Sequence, residues 1–225
     1  MQSIQTMPTL TLIQKIAVWV IPVLFAITIH EAAHAFVANF LGDKTAKMLG
    51  RLSLNPVRHI DPVGTILIPL VVGALSQFQF VFGWAKPVPI NWENLKKPRR
   101  DTAFVAAAGP LVNIFMALLW AMLFKLAMWL NPHVSKIAFF LLLTSQAGIL
   151  VNLVLALLNL IPIPPLDGSR ILASLLPKRL SIPFMRLEPF GLIILLLLLF
   201  SGLLSKILTP VFLKSLDLIS ALFNL

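Results

Sequence analysis

Four long apolar runs, separated by short basic windows, constrain this chain more than any other feature. They cover roughly residues 10–41, 103–130, 137–160 and 187–204. Each is close to or above the roughly 20 residues that a helix needs to cross a bilayer. Only 12% of the 225 residues are charged and 59% are hydrophobic, whereas soluble domains carry about 25% charged residues. A soluble fold of this length could not bury so much apolar surface. The chain therefore uses lipid as its solvent, and no polar stretch is long enough to form a second unit. Residues 1–225 read as a single membrane-embedded domain.

The net charge of +10 invites a nucleic-acid reading, but its placement argues against one. The cations cluster in Lys44–Arg58, Lys86–Arg100 and Arg170–Arg186, between apolar runs, as cytoplasmic loops do under the positive-inside rule. That bias sets the N-terminus outside and the C-terminal end of the first helix inside, in the inner or plasma membrane. No cysteine is present, which excludes disulfides and thiolate metal sites. The first apolar stretch lacks a basic segment ahead of it and reads as a permanent helix.

Between the long runs, Pro62–Leu75 is apolar but too short to span comfortably, and basic windows flank it on both sides. A re-entrant segment is predicted there. Phe78–Ile90, with Pro87 and Pro89 near its end, reads as an edge strand. Residues 205–225 mix Lys206, Lys214 and Asp217 with Leu and Phe, and fit either an interfacial amphipathic helix or a further span. The predicted fold class is an all-α polytopic membrane protein. It has about four to five transmembrane helices, a re-entrant segment and a small β-hairpin or edge strand.

The chemistry concentrates in His30-Glu31-Ala32-Ala33-His34, inside the first run. Positions i and i+4 share one helix face, so the two imidazoles can ligate one Zn2+, and Glu31 beside them can act as a general base. Ionisable groups within a span are expensive and point to function. The competing reading is a polar cluster that packs helices together, a role that a single Ser or Asn fills at less cost.

A third ligand is needed, with the fourth position left open. Of the eight acidic residues, Asp61, Asp167 and Glu188 are the candidates outside polar loops and the C-terminal tail. Asp167 is the best placed, because Pro162, Pro164 and Pro165 break the preceding helix and Gly168 permits a tight turn. It would also serve as a plain helix cap. Asn113 and Asn152 can donate to a substrate carbonyl or hydrogen-bond between helices. Ala106–Gly109 suits close helix packing. His59 and Asp61 read either as a supporting pair for the metal or as loop turns.

These motifs resemble the site-2 protease family of intramembrane zinc metalloproteases. The likeness rests on HEAAH, on Asn159 to Gly168 and on Gly109-Pro110. Gly42-Asp43, Gly50–Pro56, His59–Thr65 and Phe82–Pro89 resemble the compact bacterial branch, without a PDZ or CBS domain. The resemblance implies one Zn2+ per chain on His30, His34 and Asp167, with Glu31 as catalytic base. It also implies that Asn159 contacts substrate and that Pro162 and Pro164 break the helix. The substrates implied are single-span membrane proteins, cleaved at an active site toward the cytoplasmic face. Two other classes are compatible with the same sequence: a zinc transporter, and a non-catalytic membrane scaffold of the same fold. The spans offer few ionisable groups to line a transport path, and Glu31 is not needed merely to bind zinc.

Overall fold

The structure, a computed structural model, describes residues 10–67, 71 and 86–225. A backbone in lipid must satisfy its own hydrogen bonds, and the apolar runs do so as helices. Helix α1 spans Leu12–Leu41. It opens on a capping box in which Thr11 and Gln14 exchange side-chain hydrogen bonds, and it closes at Gly42, whose φ of 121° needs a residue without a Cβ. A single turn, α2, covers Thr45–Met48. Helix α3 spans Pro98–Trp129 and starts with proline, which lacks the amide that a helix leaves unused there. Helix α4 spans Lys136–Asn159 and is capped by Ser135. Shorter helices follow: α5 over Asp167–Leu175, α6 over Lys178–Met185 and α7 over Gly191–Phe200. Helix α8, Leu203–Phe223, ends the chain.

Among the described residues, four segments are long and apolar enough to cross a membrane: Ile13–Leu41, Pro98–Trp129, Lys136–Asn159 and Lys178–Phe200. The chain is a multi-pass membrane protein, and the fourth span begins earlier than the run at Leu187 suggested. Among the described residues there is no strand. The expected re-entrant segment is described only as a π-helical stretch over Pro62–Leu67 and at residue 71. Most of the expected edge strand lies outside the described residues, and its end, residues 86–90, has no strand pairing.

Helices α1, α3 and α4 form the centre of the bundle through small residues. Ala26, Ala35 and Ala38 of α1, Ala106 and Ala117 of α3, and Ala156 of α4 are fully buried. Without a hydrophobic force between helices in lipid, such residues let backbones approach and gain dispersion contacts. Bulky groups such as Phe40, Trp129 and Phe200 face outward, each more than 80% exposed. Helix α8 lays Phe212, Leu216, Ile219 and Phe223 against Ala117, Trp120, Ala121, Ile149 and Leu153. Its last turn is closed by Lys125 of α3, whose Nζ donates to the Phe223 carbonyl at 2.6 Å. The tail is therefore a helix docked on the bundle along one face, too polar over Lys206, Lys214 and Asp217 to rank with the four spans.

Candidate metal centre

HEAAH lies in the second half of α1, where α3 crosses it. His30 Nε2 and His34 Nε2 are 3.1 Å apart, and Asp167 Oδ2, at the start of α5, is 3.3 Å from each. A tetrahedral ion with bonds of 2.0–2.1 Å separates its ligand atoms by about 3.3–3.4 Å. The triangle thus has the dimensions of one face of a zinc coordination shell.

The opposite ring nitrogens fix what those three atoms offer. His34 Nδ1 donates to the Val105 carbonyl at 2.7 Å. His30 Nδ1 donates to Asn113 Oδ1 at 2.5 Å, an orientation set by Asn113 Nδ2, which itself donates to Asn152 Oδ1 at 2.8 Å and to the Ala26 carbonyl. Asn152 Nδ2 in turn donates to the Gly148 carbonyl. With both Nδ1 atoms protonated, each neutral ring presents a lone pair at Nε2. Asp167 Oδ2 is buried and accepts no hydrogen bond. Three lone-pair atoms then face one another in a buried space, an arrangement that a cation satisfies.

Room for that cation comes from Gly109. A Cβ there would lie 2.3 Å from His34 Nε2 and 2.7 Å from His30 Nε2, filling the space in front of the imidazoles. Gly109 belongs to the small-residue surface of α3 that packs on α1, and its service to the metal space depends on where the two helices cross. Asp167 reaches the site because α4 stops at Asn159 and the chain turns through Pro162, Pro164 and Pro165 before α5 begins. Gly168 permits the turn: a Cβ there would lie 2.2 Å from the Leu160 carbonyl oxygen.

Glu31 borders the same cavity of about 380 Å3, together with Val88, Trp92, Asn159, Arg170 and Glu188. Its Oε2 accepts a hydrogen bond from the Val88 amide at 2.8 Å. Pro87 and Pro89 flank Val88 and carry no N–H, so this is the one amide that the triplet can give. The segment bearing it is pinned at both ends. Lys86 N–H donates to the His59 carbonyl, and Arg51 donates to the carbonyls of Lys86 and Pro87. Asn91 N–H and Asn94 Nδ2 donate to buried Asp43. Burial works to raise the Asp43 pKa, but hydrogen bonds from Thr45, Asn91 and Asn94 outweigh it and hold the carboxyl below its ordinary value.

Asn159 borders the cavity and ties its Nδ2 to the Leu155 carbonyl. Asn113 is fully buried with its polar atoms committed to His30, Asn152 and Ala26. Asn152 likewise bonds between and within helices. Pro162 is exposed, while Pro164 is buried under Gly191. His59 and Asp61 sit in the loop: His59 Nε2 donates to the Ser53 carbonyl, and Asp61 accepts from the amides of Val63 and Gly64. Glu188 pairs with Arg170 at 2.8 Å, and Arg170 stacks over Trp92. Glu188, a candidate third ligand in the sequence, is thus paired with Arg170 instead, a contact that the sequence did not signal because its members come from three separate segments.

A bundle of apolar helices encloses two imidazoles and a carboxylate that could together hold a metal ion, with a second carboxylate alongside. The model of "Peptidase family M50" matches residues 133–202. "Putative zinc metalloprotease YwhC" of Bacillus subtilis is 41% identical over 208 residues, 91% of this chain and 90% of that protein. "Putative zinc metalloprotease Rip2" of Mycolicibacterium smegmatis is 33% identical over 148 residues, 64% of this chain and 52% of that protein. The Rip2 protein of Mycobacterium tuberculosis strain H37Rv is 28% identical over 193 residues, 83% of this chain and 66% of that protein. No solved structure matches the chain at comparable significance. The chain belongs to peptidase family M50, the site-2 protease family.

Proposed function

We propose that this protein is a zinc endopeptidase that hydrolyses peptide bonds in or near the membrane-spanning segments of single-span membrane proteins, in regulated intramembrane proteolysis. One Zn2+ per chain is held by His30, His34 and Asp167. The observation that carries this reading is the 3.1–3.3 Å triangle of lone-pair atoms with Glu31 beside it. Bound there, the ion supplies Lewis acidity to the scissile carbonyl.

The chain's own groups do the rest. Glu31 takes the proton of the attacking water and returns it to the leaving amide nitrogen. The Val88 amide holds Glu31 Oε2, which leaves Oε1 for the proton. Asn159 has its Nδ2 committed to Leu155, so its Oδ1 is available to accept an N–H from the substrate backbone. Pro162 and Pro164 act by ending α4 and turning the chain, so that Asp167 returns to the imidazoles. A substrate helix must unwind first, because its carbonyls are already hydrogen-bonded internally. The charge bias of the loops supports a site toward the cytoplasmic face.

The test is cleavage of a membrane-tethered peptide by the purified protein, with zinc content measured on the same sample. Wild type should cleave and hold one zinc, while Glu31→Gln should hold zinc and not cleave. Zinc uptake into sealed vesicles without peptide cleavage would favour a transporter instead. Zinc binding with neither activity would favour a scaffold.

A further inference from the structure

A second cavity, of about 780 Å3, lies beside the metal site, with Trp92 forming a wall of both. It is a groove between the N-terminal turn of α3, represented by Pro98 and Arg99, and the segment from Ala173 in α5 to Arg186. Ala173, Leu176, Ile182 and Met185 give it an apolar floor. Lys178 and Arg186 stand at its rim, exposed and without an ion pair among the described residues. Arg99 is different, since its Nε and one terminal nitrogen donate to the carbonyls of Ser174, Leu175 and Leu176. One carboxylate, Glu93, faces the three cations.

The depth of the groove follows from the spans. Two of the four candidate spans, Pro98–Trp129 and Lys178–Phe200, begin at residues that line it. A place where two spans start is the level at which a bilayer changes from headgroups to hydrocarbon. From these observations we infer that the groove binds an anionic phospholipid. Its phosphate sits between Lys178 and Arg186, and an acyl chain lies along Leu176, Ile182 and Met185. Charge complementarity selects this occupant: two exposed cations at the rim attract the phosphate, and the apolar floor suits a hydrocarbon chain. An acidic peptide fits less well, because its backbone amides would lie unsatisfied against that floor.

The groove also bears on the metal site. One of its walls is the C-terminal half of α5, the helix that begins with Asp167. A lipid in the groove would brace that helix near its C-terminal end, about two turns from Asp167.

The test does not depend on peptide hydrolysis. The full-length protein in detergent is offered equimolar phosphatidylglycerol and phosphatidylcholine, and retained lipid is counted by native mass spectrometry. Phosphatidylglycerol should be retained preferentially. Lys178→Ala and Arg186→Ala should each lower its retention about fivefold, the equivalent of about 1 kcal/mol per cation near an anionic headgroup. Lys206→Ala and Lys214→Ala, on α8, should leave it unchanged. Elution volume and thermal midpoint of each variant check that the bundle is intact. Equal retention of the two lipids overturns the proposal, as does preferential retention that survives the Lys178/Arg186 double substitution in a folded protein. Displacement of phosphatidylglycerol by an acidic peptide at low molar excess would assign the groove to protein and overturn it too.

Discussion

Gly109→Ala should abolish zinc binding without unfolding the bundle. The new methyl would lie 2.3 Å from His34 Nε2, where ordinary contact begins at 3.4 Å, so about 1.1 Å must be recovered. The helices cannot easily supply it. Val105 and Ala106 of α3 are buried with no exposed surface, as are Ala26, Ala35 and Ala38 of α1, and packed interiors yield little to added volume. The imidazoles must therefore move. Coordination distances tolerate only about 0.2 Å, so a shift of roughly 1 Å removes His34 as a ligand and disturbs His30. Losing a supporting partner costs 10–100-fold in metal affinity, and losing a ligand costs more. An affinity loss above about 100-fold, equivalent to about 2.8 kcal/mol, is the expected result in a competition titration against a chromophoric chelator. The general cost of overpacking is about 1–3 kcal/mol. Gly148→Ala controls for it, because its methyl would lie 2.3 Å from Trp120 Cδ2 and away from the metal ligands. Both variants should lose thermal stability in metal-free form, and only Gly109→Ala should lose zinc. Wild-type zinc affinity in Gly109→Ala, or an equal loss in Gly148→Ala, would refute the argument.

Three further outcomes are expected. Asn113→Ala leaves His30 Nδ1 and Asn152 Oδ1 without their partners, and should weaken zinc binding 10–100-fold; calorimetric titration in detergent reads this directly. Val88→Pro removes the amide held by Glu31 and should lower the cleavage rate at least tenfold while zinc content stays at wild type, which a coupled measurement of both would check. Asp43 has a folded-state pKa below its ordinary 3.8, so its contribution to stability is full above that value and is lost as pH falls below it. Asp43→Asn should therefore be less stable than wild type at neutral pH, with the difference shrinking under acid, as thermal midpoints between pH 7 and pH 3 would record.

How far the sequence carries depends on the range over which each feature is determined. The imidazole pair was legible because an i, i+4 spacing within one helix determines its own geometry. Asp167 was legible as a carboxylate released by three prolines, although proline content alone does not say which helix that carboxylate meets. Gly109 was legible only as a packing and motif residue and Glu188 only as a possible ligand, while the Val88 amide and the Arg170–Trp92–Glu188 contact were not legible as parts of the site. Each acts across a gap set by how separate segments cross: α3 over α1, the 86–97 segment over Glu31, and α5 against the turn at Glu188. Asn113 shows the same limit from the other direction. Its sequence position favoured an inter-helix bond over a substrate contact, and its place between His30 and Asn152 shows which groups it joins. In lipid, where apolar surface does not drive helices together, such crossings rest on small residues and a few buried hydrogen bonds. In this protein the Asn113 bonds join α1, α3 and α4, so one network both closes the bundle and sets the His30 tautomer. Packing and metal chemistry are therefore coupled through a single side chain, and a substitution there cannot disturb one without the other.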